Sequence, residues 1–471
     1  MDTKPPSPPH VVIFPFPAQG HVNSMLKLTE LLLEASLNIT FLISAKDHDR
    51  LARFTTVHSH LNSYSGHFRF HVIHGLYEGP MVTEEQQSLI MAESLPKVVG
   101  PLLRNLLLDS QVTCLIADGF TDFPLDAAQG TGVPVISFRT ISACAFWAYF
   151  SVPELIESGD LPIQGTNLDE RILSLKGMEG FLRRRDLPSF CRSDINNKIF
   201  QQITRISRRT TEAHALLINT FDDLEGPIIS QIQQHCPNIY TIGPLHAHLK
   251  ARTSSKTTSS NSLFEEDKTC ITWLDQKAPK SVLYVSFGSL ATVTREQLME
   301  FWYGLVNSGK LFLWVIREDL VLKQDDENKV PIELEEGTKE RGYMVGWAPQ
   351  EEVLAHPAVG AFLTHNGWNS TLESIVEGVP MISWPYFADQ QINSRFVEAV
   401  WKLGLDMKDT CDRTIIEKTI KEVMEERKME FIESANRMAR LAKESINEGG
   451  SSYGNLNRLV EDIKMMGIGS K

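Results

Sequence analysis

The stretch "AVGAFLTHNGWNSTLESIVEG", Ala358 to Gly378, reads as a strand, a tight loop and a helix in immediate succession. The apolar run "VGAFLT" has strand length, "HNGW" is the turn, and "NSTLESIVEG" repeats apolar residues at helical spacing, capped by Asn369 or Ser370 and closed by Gly378. A strand feeding straight into a helix is half of a βαβ unit, and such units build parallel sheets. The start of that helix offers unpaired N–H groups and a partial positive charge, a setting suited to an anion such as a diphosphate. Asn369 and Ser370 add side-chain donors, and His365 points into the same space. Glu373, four residues after Asn369, lies on the same helix face, where a carboxylate can accept hydrogen bonds from both hydroxyls of a ribose. Purely helical needs, a cap at Asn369 and a first-turn acid at Glu373, account for these two residues equally well.

The same rhythm extends outward in both directions. The second half opens with "VLYVSFGS" (282–289), a helix from about 294 and "LFLWVI" (311–316), and continues past the quoted stretch to "PMIS" (380–383). The first half alternates "VVIF" (11–14), a helix near 24–36, "ITFLIS" (39–44), "FRFHVI" (68–73), a helix around 96–109, "TCLIA" (113–117), "VPVISF" (133–138), "ALLIN" (215–219) and "IYTIG" (239–243). Each half begins with a strand that runs into a glycine loop, at Gly20 and at Gly288. The expected architecture is α/β: two Rossmann-like, doubly wound parallel-sheet domains facing across a cleft, with ligands at the carboxyl ends of the strands. Neither half carries G-x-G-x-x-G with an acidic residue about 20 positions on, so dinucleotide hydride transfer is disfavoured.

Between the halves, "HAHLKARTSSKTTSSNS" (246–262) replaces apolar residues with Ser, Thr and Lys and reads as a linker. The divisions are 1–245, a flexible linker at 246–268, a second domain at 269–450 and a closing helix at 451–471. His246 and His248 have the H-x-H spacing of metal ligands, but their polar linker setting favours a non-ligand role.

The 471 residues are 42% hydrophobic, enough for sizeable cores, and the net charge of −13 argues against a nucleic-acid surface. Arg183–Arg185 and Arg208–Arg209 are basic runs without interleaved aromatics, and read as solvated faces. Six scattered cysteines without C-x-x-C spacing look like reduced thiols, and "MDTKPPSPPH" lacks the apolar segment of a signal peptide. No apolar run is long enough to span a membrane. The chain is therefore expected to be a cytoplasmic protein, and it is taken to be a monomer.

From Trp347 to Gln390 the sequence resembles, nearly position for position, the signature box of plant secondary-product UDP-glycosyltransferases. The resemblance implies a GT-B type fold, a UDP-sugar donor and a small hydrophobic acceptor such as a terpenoid or phenolic. By the same resemblance, Trp347 would stack on uracil, with Ala348 and Gln350 near the base and ribose. His365, Gly367, Asn369 and Ser370 would hold the diphosphate, and Glu373 the ribose hydroxyls. Trp368, Asp389 and Gln390 would read the sugar, the terminal glutamine favouring UDP-glucose. Ser289 in "VSFGS" would contact a phosphate, and Thr140 in "SFRTISA" the sugar or diphosphate. The helix after "GGSSYGNL" would pack back on the N-terminal domain. Asn366 departs from the cysteine that many relatives carry, and Ser24 from a common proline. His356, at a helix end before proline, reads as structural.

His21 follows the first strand and opens the next helix, and Asp118 ends the apolar strand "TCLIAD", so both stand at a sheet's carboxyl edge. A carboxylate bonded to one imidazole nitrogen fixes the tautomer and leaves the other nitrogen free to take a proton. In the family this pair is the general base for direct, inverting displacement at the anomeric carbon, with UDP as leaving group and no metal. Asp47 and Asp49, in "KDHDR", have the D-x-D spacing of metal-dependent sugar-nucleotide transferases, but the diphosphate already has protein partners, so no metal is expected. "CAFWAYF" (144–150), Phe120 and Phe387 suit an apolar acceptor as well as they suit a core. A non-catalytic nucleotide-sugar-binding module is the alternative, as is another UDP-sugar donor; the dyad is what a pure binder would not need.

Overall fold

The computed structural model of the protein describes residues 8–64, 66–76, 84–108, 111–252, 262–320, 334 and 338–469. Seven strands form the first sheet: β1 (His10–Phe14), β2 (Asn38–Ser44), β3 (Phe68–Ile73), β4 (Val112–Asp118), β5 (Val135–Arg139), β6 (Ala215–Ile218) and β7 (Ile239–Thr241). Six form the second: β8 (Val282–Ser286), β9 (Leu311–Val315), β10 (Gly342–Val345), β11 (Val359–Thr364), β12 (Met381–Ser383) and β13 (Gly404–Asp406). The spatial orders are β3-β2-β1-β4-β5-β6-β7 and β10-β9-β8-β11-β12-β13, and every neighbouring pair is parallel. Every residue of β4, β8 and β11 is buried, because helices cover both faces of a parallel sheet.

In each sheet the strand order reverses beside its first strand, between β1 and β4 and between β8 and β11. There the loops leave in opposite directions and open a crevice at the carboxyl ends. The strand registers bring the ends level, Phe14 beside Ala117 and Ser286 beside Thr364. Both crevices face the same cleft.

Local details depart from the sequence reading in three places. The helix after β1 runs Gln19–Glu34 and starts earlier than expected. Gly20, His21 and Asn23 argue locally for a late start, yet Val22, Met25, Leu26 and Thr29 bury a helical stripe from its first turns, and packing overrides propensity. The expected linker likewise begins as a helix, Leu245–Arg252, with Leu245, Ala247 and His248 buried; residues 253–261 lie outside the described residues. Third, the helix after β11 begins at Trp368 with Gly367 as its N-cap, so Asn369 and Ser370 occupy the first turn and do not cap it. The short edge strands β10 ("GYMV") and β13 ("GLD") carry too little apolar pattern to be read in advance.

The last helix, Ser451–Gly469, lies against the first sheet. Leu456, Leu459 and Ile463 enter the core beside β4 and β7, and burying each contributes roughly 1.5–3 kcal/mol. Ser452 Oγ donates to the Gly243 carbonyl at 2.5 Å and Asn455 Nδ2 to Thr241 Oγ1 at 2.8 Å. A second core spans both domains, joining Phe146, Leu216 and Ile229 to Trp368, Leu372, Phe396 and Trp401.

Candidate active site

The cleft holds a cavity of about 890 Å³, ample for a nucleotide sugar and a small second reactant. On its N-terminal wall the loop after β1 and the end of β4 bring His21 and Asp118 together. His21 Nδ1 lies 2.8 Å from Asp118 Oδ2 and 2.9 Å from Thr140 Oγ1. The carboxylate is fully buried and also accepts the N–H groups of Phe16 at 3.1 Å and Phe120 at 2.9 Å. Three donors aimed at one buried carboxyl hold it still. The imidazole, 20% exposed, sits between Phe16 and Phe120 with ring centroids 5.2 and 5.8 Å away. With Nδ1–H given to Asp118, Nε2 is the nitrogen left to take a proton.

The C-terminal wall is built around the helix Trp368–Glu377. No side chain caps its first turn, which borders the cavity. His365, in the loop after β11, is half-buried, with its Nδ1 shielded from solvent. Burial and the nearby Arg317 push its imidazole down to about 4, so it stands neutral at neutral pH. It fits only because Gly288 and Gly367 lack side chains: a Cβ there would lie 2.4 and 2.5 Å from its Nε2, and Gly288 has φ +73°. Ser289 follows Gly288 in the loop after β8 and lines the same cavity.

Gln350 orders the polar groups at the start of the helix Trp368–Glu377. Its Oε1 accepts from the Tyr284 hydroxyl at 3.2 Å, and its Nε2 donates to Ser370 Oγ at 2.9 Å and Glu373 Oε2 at 2.7 Å. Burial and the neighbouring Glu351 carboxylate raise Glu373 above the usual carboxylate range, while Lys27, ion-paired with Glu351 across the cleft, opposes the rise. Ala348 and Trp347 line the cavity beside them. Phe264 covers one face of the Trp347 indole, with centroids 4.6 Å apart and planes at 25°. A base stacking on Trp347 either takes the opposite face or displaces Phe264.

Two box residues differ from their expected roles. The Asn369 amide is engaged across the cleft: Nδ2 donates to the Gly20 carbonyl at 2.8 Å, and Oδ1 accepts from Ser24 Oγ at 2.9 Å. Trp368, only 3% exposed, donates its indole N–H to the Asn219 carbonyl at 2.8 Å and packs in the core shared by the domains. Its indole therefore has no hydrogen left for a sugar. Local sequence could not reveal either commitment, since both partners lie in the other domain.

The loop that leads into Asp389 is held from within. Gln390 Oε1 accepts the N–H groups of Tyr386 and Phe387 at 2.8 and 3.0 Å. Asp389 is buried, and burial pushes its carboxyl up to about 6. Phe120, Phe387 and Tyr149 line the cavity, whereas Phe146 and Phe150 of "CAFWAYF" belong to the core. His356 bonds Asp275 and the Ala358 N–H, a structural role.

The H-x-H and D-x-D pairs do not converge. His246 and His248 share one helix, His248 buried and His246 half-buried, and His248 Nδ1 faces the Ile242 carbonyl at 3.3 Å. Asp47 is bound by Ser44 at a helix start, while Asp49 is 80% exposed. Among the described residues no group of three or more His, Cys, Asp or Glu side chains could hold a metal ion, and no helix is long and apolar enough to cross a membrane. Residues that sequence reasoning missed are Phe264, Lys27, Glu351 and Ser189; only Ser24 had left a signal, as a departure from the usual proline.

The family described as "UDP-glucoronosyl and UDP-glucosyl transferase" matches residues 188–445, and "Glycosyltransferase, N-terminal domain" matches residues 9–80. The chain is 56% identical to a 7-deoxyloganetic acid glucosyl transferase of Catharanthus roseus, covering 98% of each chain. It is 42% identical to a myricetin 3-O-rhamnoside 1,2-glucosyltransferase of Crocosmia x crocosmiiflora, over 98% of this chain and 96% of the other. Among solved structures, it is similar to Os79 of O. sativa in complex with UDP, with a TM-score of 0.80, 28% identity and coverage of 96% and 100%. A UDP-glucosyltransferase from Polygonum tinctorium gives a TM-score of 0.80 at 25% identity, covering 98% of this chain and 100% of the other.

Proposed function

The chain belongs to the UDP-glucosyl and UDP-glucuronosyl transferase family, a UDP-glucosyltransferase of small plant metabolites with the GT-B fold, and from that premise we propose an inverting, metal-independent transfer of glucose to a terpenoid hydroxyl. The acceptor class follows the relative named for 7-deoxyloganetic acid. The observation that carries the mechanism is the 2.8 Å contact of His21 Nδ1 with buried Asp118 at the switch point of the first sheet.

In this reading the acceptor hydroxyl sits against Phe16, Phe120 and Phe387, within reach of His21 Nε2. Its oxygen attacks the anomeric carbon as Nε2 takes its proton, and Asp118 stabilises the imidazolium that forms. The bond to the UDP oxygen breaks on the opposite side of the sugar. The negative charge on UDP is met by the first-turn N–H groups of Trp368–Glu377, Ser289 and Ser370, with neutral His365 as a hydrogen-bond donor. Trp347 and Gln350 receive the base, Glu373 the ribose, and Asp389 and Gln390 the glucose. Asn369 contributes through its main chain, its amide being given to Gly20. Across the cleft, orientation of two reactants supplies most of the rest of the acceleration.

A carboxyl acceptor would already be ionised and would need no base. Incubation with UDP-glucose and 7-deoxyloganetic acid, followed by NMR of the product, tests the proposal. A β-glucoside on the hydroxyl is expected; an α-linkage overturns inversion, and a glucose ester overturns the hydroxyl assignment.

A further inference from the structure

We propose that Asn393, on the helix Gln390–Ala399, is a positioning residue for glucose transfer: it fixes the rotation of the Asp389 carboxylate and ties it both to the His365–Gly367 loop and to Ser142 of the N-terminal domain. The inference rests on the reading of Asp389 as a sugar-binding group.

The hydrogen bonds run in one direction only. Ser142 caps the helix Ala143–Phe150, its Oγ accepting the Ala145 N–H at 3.0 Å. Its single proton is then donated to Asn393 Oδ1 at 2.7 Å. That sets the amide so that Nδ2 faces the opposite way. Its two protons go to Asp389 Oδ2 at 2.7 Å and to the Asn366 carbonyl at 2.9 Å. Flipping the amide would set Oδ1 against two acceptors, the Asp389 carboxylate and the Asn366 carbonyl, so one orientation is enforced.

Burial makes the arrangement stiff. Ser142, Asn366 and Asn393 have no exposed surface and Asp389 has 7%, so water cannot substitute for a lost partner at low cost. With Oδ2 taken by Asn393, Oδ1 of Asp389 is the oxygen left to a sugar hydroxyl. The Asn366 carbonyl belongs to the turn that carries His365, a turn with φ +59° at Asn366. One amide therefore sets the distance between a diphosphate-side loop and a sugar-side carboxylate. A second clasp acts on the turn that leads into Asp389: the Ala388 N–H donates to Ser189 Oγ of the N-terminal domain at 2.9 Å, and Ala388 has φ +57°. Both clasps come from the acceptor-binding domain, so the sugar-reading carboxylate is set by domain docking as well as by its own helix.

The test compares Asn393→Ala, Ser142→Ala and Asp389→Ala with the unaltered protein, using UDP-glucose, UDP-galactose and UDP. Asn393→Ala is expected to lower kcat/KM for UDP-glucose by about 10²-fold, the scale of a misplacement near 1 Å, and to narrow the UDP-glucose to UDP-galactose preference by about tenfold. UDP, which has no sugar, should bind within about threefold of its usual affinity, because Trp347, Ser289 and Ser370 are untouched. Ser142→Ala should move both sugar readouts in the same direction by a smaller factor. Unchanged kcat/KM in Asn393→Ala, or a loss shared equally by UDP-glucose, UDP-galactose and UDP, overturns the positioning role. If Asp389→Ala keeps full rate and preference, the sugar-binding reading itself falls; if Asp389→Ala is impaired and Asn393→Ala is not, only the positioning role falls.

Discussion

At Asp389 the protein holds a carboxylate whose ordinary pKa has been moved by its surroundings. Burial raises it to about 6, and the Asn393 hydrogen bond opposes the rise without cancelling it. The sign of the effect on donor binding follows directly. An ionised carboxylate accepts a hydrogen bond from a sugar hydroxyl and a protonated one accepts it poorly, so UDP-glucose binding weakens as pH falls through about 6. The KM for UDP-glucose should rise by about tenfold between pH 7 and pH 5, and Asp389→Asn should lose that part of the dependence while starting from a higher KM. A KM that is flat over this range in the unaltered protein would remove Asp389 from sugar binding. At this scale the sequence was most informative where identity alone dictates chemistry: His21, Asp118, His365 and Glu373 all border the cavity or support a residue that does. It was least informative about which way an amide points. Asn369 looked like a diphosphate ligand because its position on the helix allowed it, and its partners, Gly20 and Ser24, lie more than three hundred residues away.

At the scale of elements, the strands were legible because buried parallel strands are short continuous apolar runs. Edge strands β10 and β13 were not, since an edge has one neighbour and needs less apolar surface. Helix starts were misplaced at Gln19 and Trp368 for a common reason: glycine, histidine and asparagine lower local propensity, and the packing that overrules them is made with distant residues. The helix Gln19–Glu34 also shows what Ser24 does. Its hydroxyl lies 2.9 Å from both the Gly20 carbonyl and Asn369 Oδ1, joining the helix that carries His21 to the helix beneath the diphosphate site. A proline there could do neither. Ser24→Ala removes one hydrogen bond worth about 1 kcal/mol, so the KM for UDP-glucose should rise about fivefold with kcat little changed. An unaltered KM would show that the contact does not orient Asn369 in any way that binding senses.

At the scale of the molecule, the two domains are held by a shared core and by a buried charge cluster. Asp186, with no exposed surface, accepts from Arg183 at 2.9 and 3.0 Å and pairs with Lys408 at 3.0 Å and Arg395 at 3.4 Å. Arg183 belongs to the N-terminal domain, Lys408 and Arg395 to the other. The cationic partners hold the Asp186 carboxyl below its ordinary range despite burial. Asp186→Ala would remove the buried anion that three cations share, leaving Lys408 to Asp406, Arg183 to Asp169 and Arg395 to Glu398, and should destabilise the protein by about 1–3 kcal/mol, measured as a shift in the urea midpoint. A shift equal to that of a surface aspartate variant would show that the cluster adds nothing to the fold. Nothing in the run "RRRD" announced this role: as a charge run it read as a solvated face, and only the partner domain turns it inward.

The central claim, that His21 takes the acceptor's proton, is tested most directly by the turnover of His21→Ala with UDP-glucose and 7-deoxyloganetic acid at saturating concentrations of both. The expected result is a fall in kcat of about 10²–10⁴-fold while UDP still binds, because the base is lost and the donor site is intact. Full turnover by His21→Ala on the hydroxyl acceptor would contradict it.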